Sequence, residues 1–124
     1  MKNSDIGFYL LHIAESCEKI QLYLRDMEQS DFARNPMVQD AVLRNFEIIG
    51  EAAKHVPDDF RNRYPDIKWR GMAGFRDVLI HEYFGIDLVN VWNISKKALP
   101  ETLTQIKGLP EFIAAKSSLP DSQE

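Results

Sequence analysis

The chain has one cysteine, three histidines and no apolar run approaching the roughly 18 residues of a membrane span. The single cysteine, Cys17, excludes an internal disulfide and fits a reducing compartment, so the expected location is cytoplasmic. His12, Cys17, His55 and His81 are scattered without zinc-site spacing, so neither a metal nor another cofactor is expected. There is no basic excess: the net charge is −4, which argues against indiscriminate nucleic-acid binding but leaves room for a local basic cleft. Met1-Lys2-Asn3-Ser4-Asp5 lacks the charged-then-apolar layout of a signal peptide, and no membrane association is expected. Internal repeats, low-complexity blocks and strand-like alternation are absent as well.

What remains is a helical pattern. With 124 residues, 44% of them apolar, the chain can bury a core as one domain. Ile6, Leu10, Ile13, Cys17, Ile20, Leu24 and Met27 alternate at spacings of four and three, a heptad stripe that predicts one long helix over about 4–29. Asn35-Pro36 supplies an N-cap and a first-turn proline for a second helix over about 36–56. A third is expected from Ile67 to Phe84, with Gly85 as its cap, Phe84 in the core, and Gly71 and Gly74 admitting another backbone. Asp87 can cap a fourth helix carrying Val91, Trp92, Ser95, Leu99 and Leu103, which Pro100 kinks or restarts. The fold class is all-α, an up-and-down bundle of four to five helices over residues 1–108, followed by a poorly ordered tail over 109–124.

The chemistry concentrates in Arg76-Asp77-Val78-Leu79-Ile80-His81-Glu82-Tyr83. Arg76 is a permanent cation able to fork two hydrogen bonds onto a phosphate, and the His81 imidazole can give or take a proton. On a helix, Asp77 and His81 stand one turn apart, so the carboxylate can reach the imidazole. Arg76 and His81 are separated by about 140° around the axis and can border one groove. Arg76 and Tyr83, seven positions apart, share a face. Cleaving RNA without a metal needs a base for the ribose 2′-hydroxyl, an acid for the leaving oxygen and a cation for the phosphorane. One chain supplies one such histidine, whereas a two-fold dimer supplies two.

Arg-x4-His-x-Tyr, here Arg76, His81 and Tyr83, resembles the signature of the HepT-like toxins of the HEPN superfamily. Arg44-Asn45-Phe46-Glu47-Ile48-Ile49-Gly50-Glu51-Ala52-Ala53 is similar to that family's second-helix segment, and Trp69, Gly71, Asp87 and Val91-Trp92 also match its pattern. The likeness covers about residues 5–105. It implies a HEPN-like homodimeric bundle acting as a metal-independent endoribonuclease toxin of a type VII-like toxin–antitoxin pair, with Arg76 and His81 catalytic. It further implies a partner, a minimal MntA-type nucleotidyltransferase antitoxin that silences the toxin by moving AMP onto Tyr83. The family usually has an amide where this chain has Asp77.

Competing readings exist for each residue. Glu47 and Glu51, four apart beside Arg44, position the motif arginine or form part of the site, or else make a structural polar network or solvated face. Arg76 with Asp77 or Glu82 is otherwise an ordinary surface pair of little worth. His12 and His55 read as structural or exposed, and Cys17 as a packed thiol. Arg61, Arg63, Lys68 and Arg70 are either a solvated turn or an RNA track. The alternative function is a non-catalytic helical module that binds a nucleotidyltransferase and presents its substrate; a plain dimerisation bundle is a third.

Overall fold

The computed structural model describes residues 3–82 and 84–120, and among them every regular element is a helix. In chain order these are α1 (Asn3–Leu24), α2 (Gln29–Ala33), α3 (Pro36–His55), α4 (Asp58–Arg63), α5 (Trp69–His81), α6 (Leu88–Lys96), α7 (Ala98–Lys107) and α8 (Pro110–Ser117). None is long and apolar enough to cross a membrane among the described residues.

The heptad stripe of α1 is the spine. Leu10, Ile13, Cys17, Ile20 and Leu24 are each at most 1% exposed. They pack along α3, whose Val42, Phe46, Ile49 and Ala53 face inward. That alignment follows from the sequence, because i, i+3 and i+4 residues share one face of a helix. The local start signals also operate as read. The Asn35 side chain accepts a hydrogen bond from the Val38 amide at 3.1 Å, with Pro36 in the first turn of α3. Asp87 Oδ1 accepts from the amides of Val89 and Asn90 at 3.1 and 3.2 Å and starts α6.

The stop signals differ. The first helix ends at Leu24, short of residue 29, and Asp26 adopts φ 65°, a left-handed conformation that a short polar residue tolerates and a helix cannot continue. The third long helix, α5, runs Trp69–His81 and not to Phe84. Its backbone leaves helical geometry at Glu82 (φ −112°, ψ 43°), so Gly85 is not its cap. Glu82 is exposed and Phe84 is 99% exposed, so neither gains burial from another turn, and Phe84 is not a core residue. Pro100 restarts the helix: α6 ends at Lys96, and Pro100 sits in the first turn of α7, where its missing amide hydrogen costs nothing.

The C-terminal segment is the main correction. Within the expected poorly ordered tail, Pro110 begins α8 and Phe112 is only 6% exposed, while residues 121–124 lie outside the described residues. Pro110 initiates a helix here because proline suits the first helical turn. Gly7 of α1 lets α8 lie close: a Cβ there would stand 2.7 Å from the Cβ of Ala115. The second close crossing also uses an unexpected glycine. A Cβ on Gly50 of α3 would overlap the Cβ of Arg76 and stand 2.8 Å from the Met72 carbonyl oxygen on α5. Gly71 and Gly74, the expected contact glycines, have no such neighbour: a Cβ on Gly71 meets nothing nearer than 3.6 Å, and one on Gly74 nothing within 4 Å.

Candidate active site

Gly50 determines where Arg76 stands. Because α3 and α5 nearly touch there, the arginine leaves α5 beside the α3 backbone and must run along α3 towards solvent. Its side chain is 25% exposed and its guanidinium lies between two carboxylates. One terminal nitrogen is 3.1 Å from Glu51 Oε1 on α3, and the other is 3.1 Å from Asp77 Oδ1 on α5. The same Asp77 oxygen accepts from Lys54 Nζ at 2.9 Å. Lys54 first and Arg76 second, both by hydrogen bonding, hold the Asp77 carboxyl below its usual range. On the other side, Glu51 Oε2 is 3.5 Å from His55 Nε2.

Arg76, Glu51 and His55 edge a groove of about 440 Å³ between α1, α3 and α5. Its α1 wall is aromatic: Phe8 meets His12 edge-on at 4.4 Å, and Tyr9 meets His55 edge-on at 5.1 Å. Arg44 and Glu47 line it further along α3, paired at 3.5 Å. Of the two candidate glutamates, therefore, Glu51 contacts the motif arginine and Glu47 contacts Arg44.

His81 is the last residue of α5 and exposed. Its Nδ1 is 2.8 Å from the Asp77 backbone carbonyl oxygen. A carbonyl only accepts, so Nδ1 carries the hydrogen of that bond and Nε2 is the nitrogen left for chemistry. The expected carboxylate–imidazole contact is thus replaced by a carbonyl–imidazole contact, because the Asp77 side chain is drawn towards Lys54 and Arg76. Ile80 lines this groove with Arg76, and His81 is not among its lining residues. Tyr83 lies outside the described residues.

The basic run resolves into structural roles for its first members. Arg61 donates to the Val56 carbonyl at 2.9 Å and to that of Ala53, satisfying the open end of α3. Arg63 stacks over Phe60 at 5.0 Å and pairs with Glu111 of α8 at 3.6 Å. Lys68 and Arg70 are exposed. Cys17 is a core residue, and burial, then the charge of Glu18, pushes its thiol up to about 12, far from a nucleophile's range. Among the described residues no group of three or more His, Cys, Asp or Glu is placed to hold a metal.

His55 and His12 line the groove although the sequence reads them as structural or exposed, and Lys54, which lies outside that lining but pairs with Asp77, was missed. A signal existed for His55, one turn beyond Glu51, and for His12, one turn beyond Phe8. None existed for Lys54, whose partner is 23 residues away.

A family model described as "Ribonuclease HepT-like" matches residues 13–109. A Methanocaldococcus jannaschii protein named "Gamma-glutamylcyclotransferase and putative RNase" is 44% identical over 86% of this chain, which spans 48% of that longer protein. A "Putative RNase" of the same organism is 36% identical over 86% of this chain and 98% of its own length. The "Probable ribonuclease HepT" of Thermococcus cleftensis is 46% identical over 74% of this chain and 84% of its own. No solved structure gives a significant match. The matched region runs from the middle of α1 through α7 and includes every charged residue that brackets Arg76, and on these grounds the chain belongs to the HepT-like ribonuclease family.

Proposed function

We propose that this protein is a metal-independent endoribonuclease toxin, active as a homodimer and neutralised when a minimal MntA-type nucleotidyltransferase antitoxin transfers AMP to Tyr83. The observation that carries the cleavage chemistry is the exposed His81 ring at the end of α5, with Nδ1 bonded to the Asp77 carbonyl and Nε2 left for proton transfer. Arg76 holds the scissile phosphate through its guanidinium fork. One His81 takes the proton from the ribose 2′-hydroxyl, whose oxygen attacks phosphorus. The His81 of the second copy protonates the departing 5′-oxygen. The products are a 2′,3′-cyclic phosphate and a free 5′-hydroxyl, and the histidines exchange protonation states over the cycle.

The dimer is invoked because one chain has one motif histidine, which is not among the residues lining the Arg76 groove. A two-fold arrangement supplies the second acid–base group and a shared cleft. AMP on Tyr83 adds a phosphodiester anion two residues beyond His81 in the sequence, where it competes with RNA for the arginines. Cleavage then weakens steeply as salt rises, because phosphate contacts release counterions.

The experiment is an intact-mass measurement of protein made with and without the transferase, paired with RNA cleavage by both samples. Mass gained in AMP-sized steps, absent in Tyr83→Phe and accompanied by lost cleavage, supports the switched toxin. An unmodified protein that leaves RNA intact overturns it.

A further inference from the structure

Residues 51, 54 and 55 lie one turn or less apart on one face of α3, the spacing at which helical side chains act on a common neighbour. All three feed into Arg76. The chain of contacts runs Lys54 Nζ to Asp77 Oδ1 at 2.9 Å, then Asp77 Oδ1 to the guanidinium at 3.1 Å. From the guanidinium it continues to Glu51 Oε1 at 3.1 Å, and from Glu51 Oε2 to His55 Nε2 at 3.5 Å. The guanidinium is therefore gripped by two carboxylates, each held from behind by a second side chain. Two of its five donors are engaged in these ion pairs, leaving the rest of the fork for a phosphate.

We infer that Lys54 is a positioning residue for Arg76, acting through the Asp77 carboxylate, with Glu51 as the opposing arm of the same clamp. The inference rests on the ribonuclease reading above for its catalytic consequence, but not for its geometry. Without Lys54, the Asp77 carboxylate is tethered by Arg76 alone and can swing with it, so the guanidinium loses one fixed wall. Lys54 is half-exposed, so the bland alternatives are a surface ion pair of no consequence or a direct phosphate contact. Each predicts a different result.

The test compares wild type, Lys54→Met and Lys54→Arg by two readouts. The first is the Nε–H resonance of Arg76 in the RNA-free protein, which needs no catalysis. A resonance sharp in wild type and in Lys54→Arg, but broadened or shifted in Lys54→Met with backbone signals elsewhere unchanged, is the expected result. An Arg76 signal indifferent to Lys54→Met overturns the inference, whether or not the protein cleaves RNA. The second readout is steady-state cleavage at several salt concentrations. A misplaced guanidinium lowers kcat by about tenfold, KM staying within about twofold, and Lys54→Arg recovers most of the rate. A raised KM with unchanged kcat and a shallower salt dependence makes Lys54 a phosphate contact and overturns the positioning role. Wild type failing to cleave, with the Arg76 resonance still dependent on Lys54, removes the ribonuclease reading and leaves the clamp standing.

Discussion

The α3–α5 and α1–α8 crossings are each built on a glycine, yet only one of them faces a charged side chain. At Gly7 the neighbour across the gap is Ala115, and the contact does nothing but bring apolar surfaces such as Phe112 into the core. At Gly50 the neighbour is the base of Arg76, and closeness fixes the root of a charged side chain whose head reaches the groove. The same backbone device serves burial in one place and the aiming of a cation in the other. A crossing that only buries surface tolerates a small slide; one that aims a guanidinium does not.

Phe112→Ala gives the largest change in stability and should break the α1–α8 side alone. Truncating a buried phenylalanine costs about 3 kcal/mol, read as a lower urea midpoint, while RNA cleavage per folded molecule is unchanged. Gly50→Ala comes next. Its Cβ has no room, an overpacking cost of about 2 kcal/mol, partly offset by the roughly 1 kcal/mol that alanine gains over glycine in a helix. The net loss is about 1 kcal/mol, but cleavage falls by about a hundredfold, because the displaced group is Arg76 itself. Gly7→Ala is smaller again: α8 ends the described fold and can shift, so the same offset leaves stability within about 0.5 kcal/mol of wild type and cleavage intact.

The pH response sharpens the polar side of the comparison. Lys54 and Arg76 depress the folded-state pKa of Asp77, so its contribution is present above the unfolded value of about 3.9 and is lost as pH falls below that. Acid unfolding should therefore show an Asp77-dependent slope only below about pH 4, absent in Asp77→Asn. The smallest effect belongs to the core: with its thiol raised to about 12, Cys17 should stay unmodified by thiol reagents at pH 8 until the protein unfolds.

How far the sequence was legible divides along the same line. Features set within one helix were readable, such as the α1 stripe and the Asn35 and Asp87 caps, because their causes lie within a few residues. The end of α5 was not, since Glu82 and Phe84 look helical in composition and only the structure shows both of them exposed. Helix α8 was missed because Pro110 and the nearby serines read as a tail, whereas its support comes from Gly7, over a hundred residues earlier. At the site, Arg76, Asp77, His81 and Glu51 were legible as residue types. Their partners were not: Asp77 turned from His81 to Lys54, and only the Gly50 crossing brings those two helices near enough.

The central claim is that Arg76 and the Nε2 of His81 cleave RNA. Its most direct test is cleavage of a single-stranded RNA by purified wild type, Arg76→Ala and His81→Ala, with identification of the new ends. The account predicts 2′,3′-cyclic phosphate termini from wild type and a loss of at least about a hundredfold in each variant, with all three equally folded. Undiminished cleavage by His81→Ala, or termini bearing a 5′-phosphate, would contradict it.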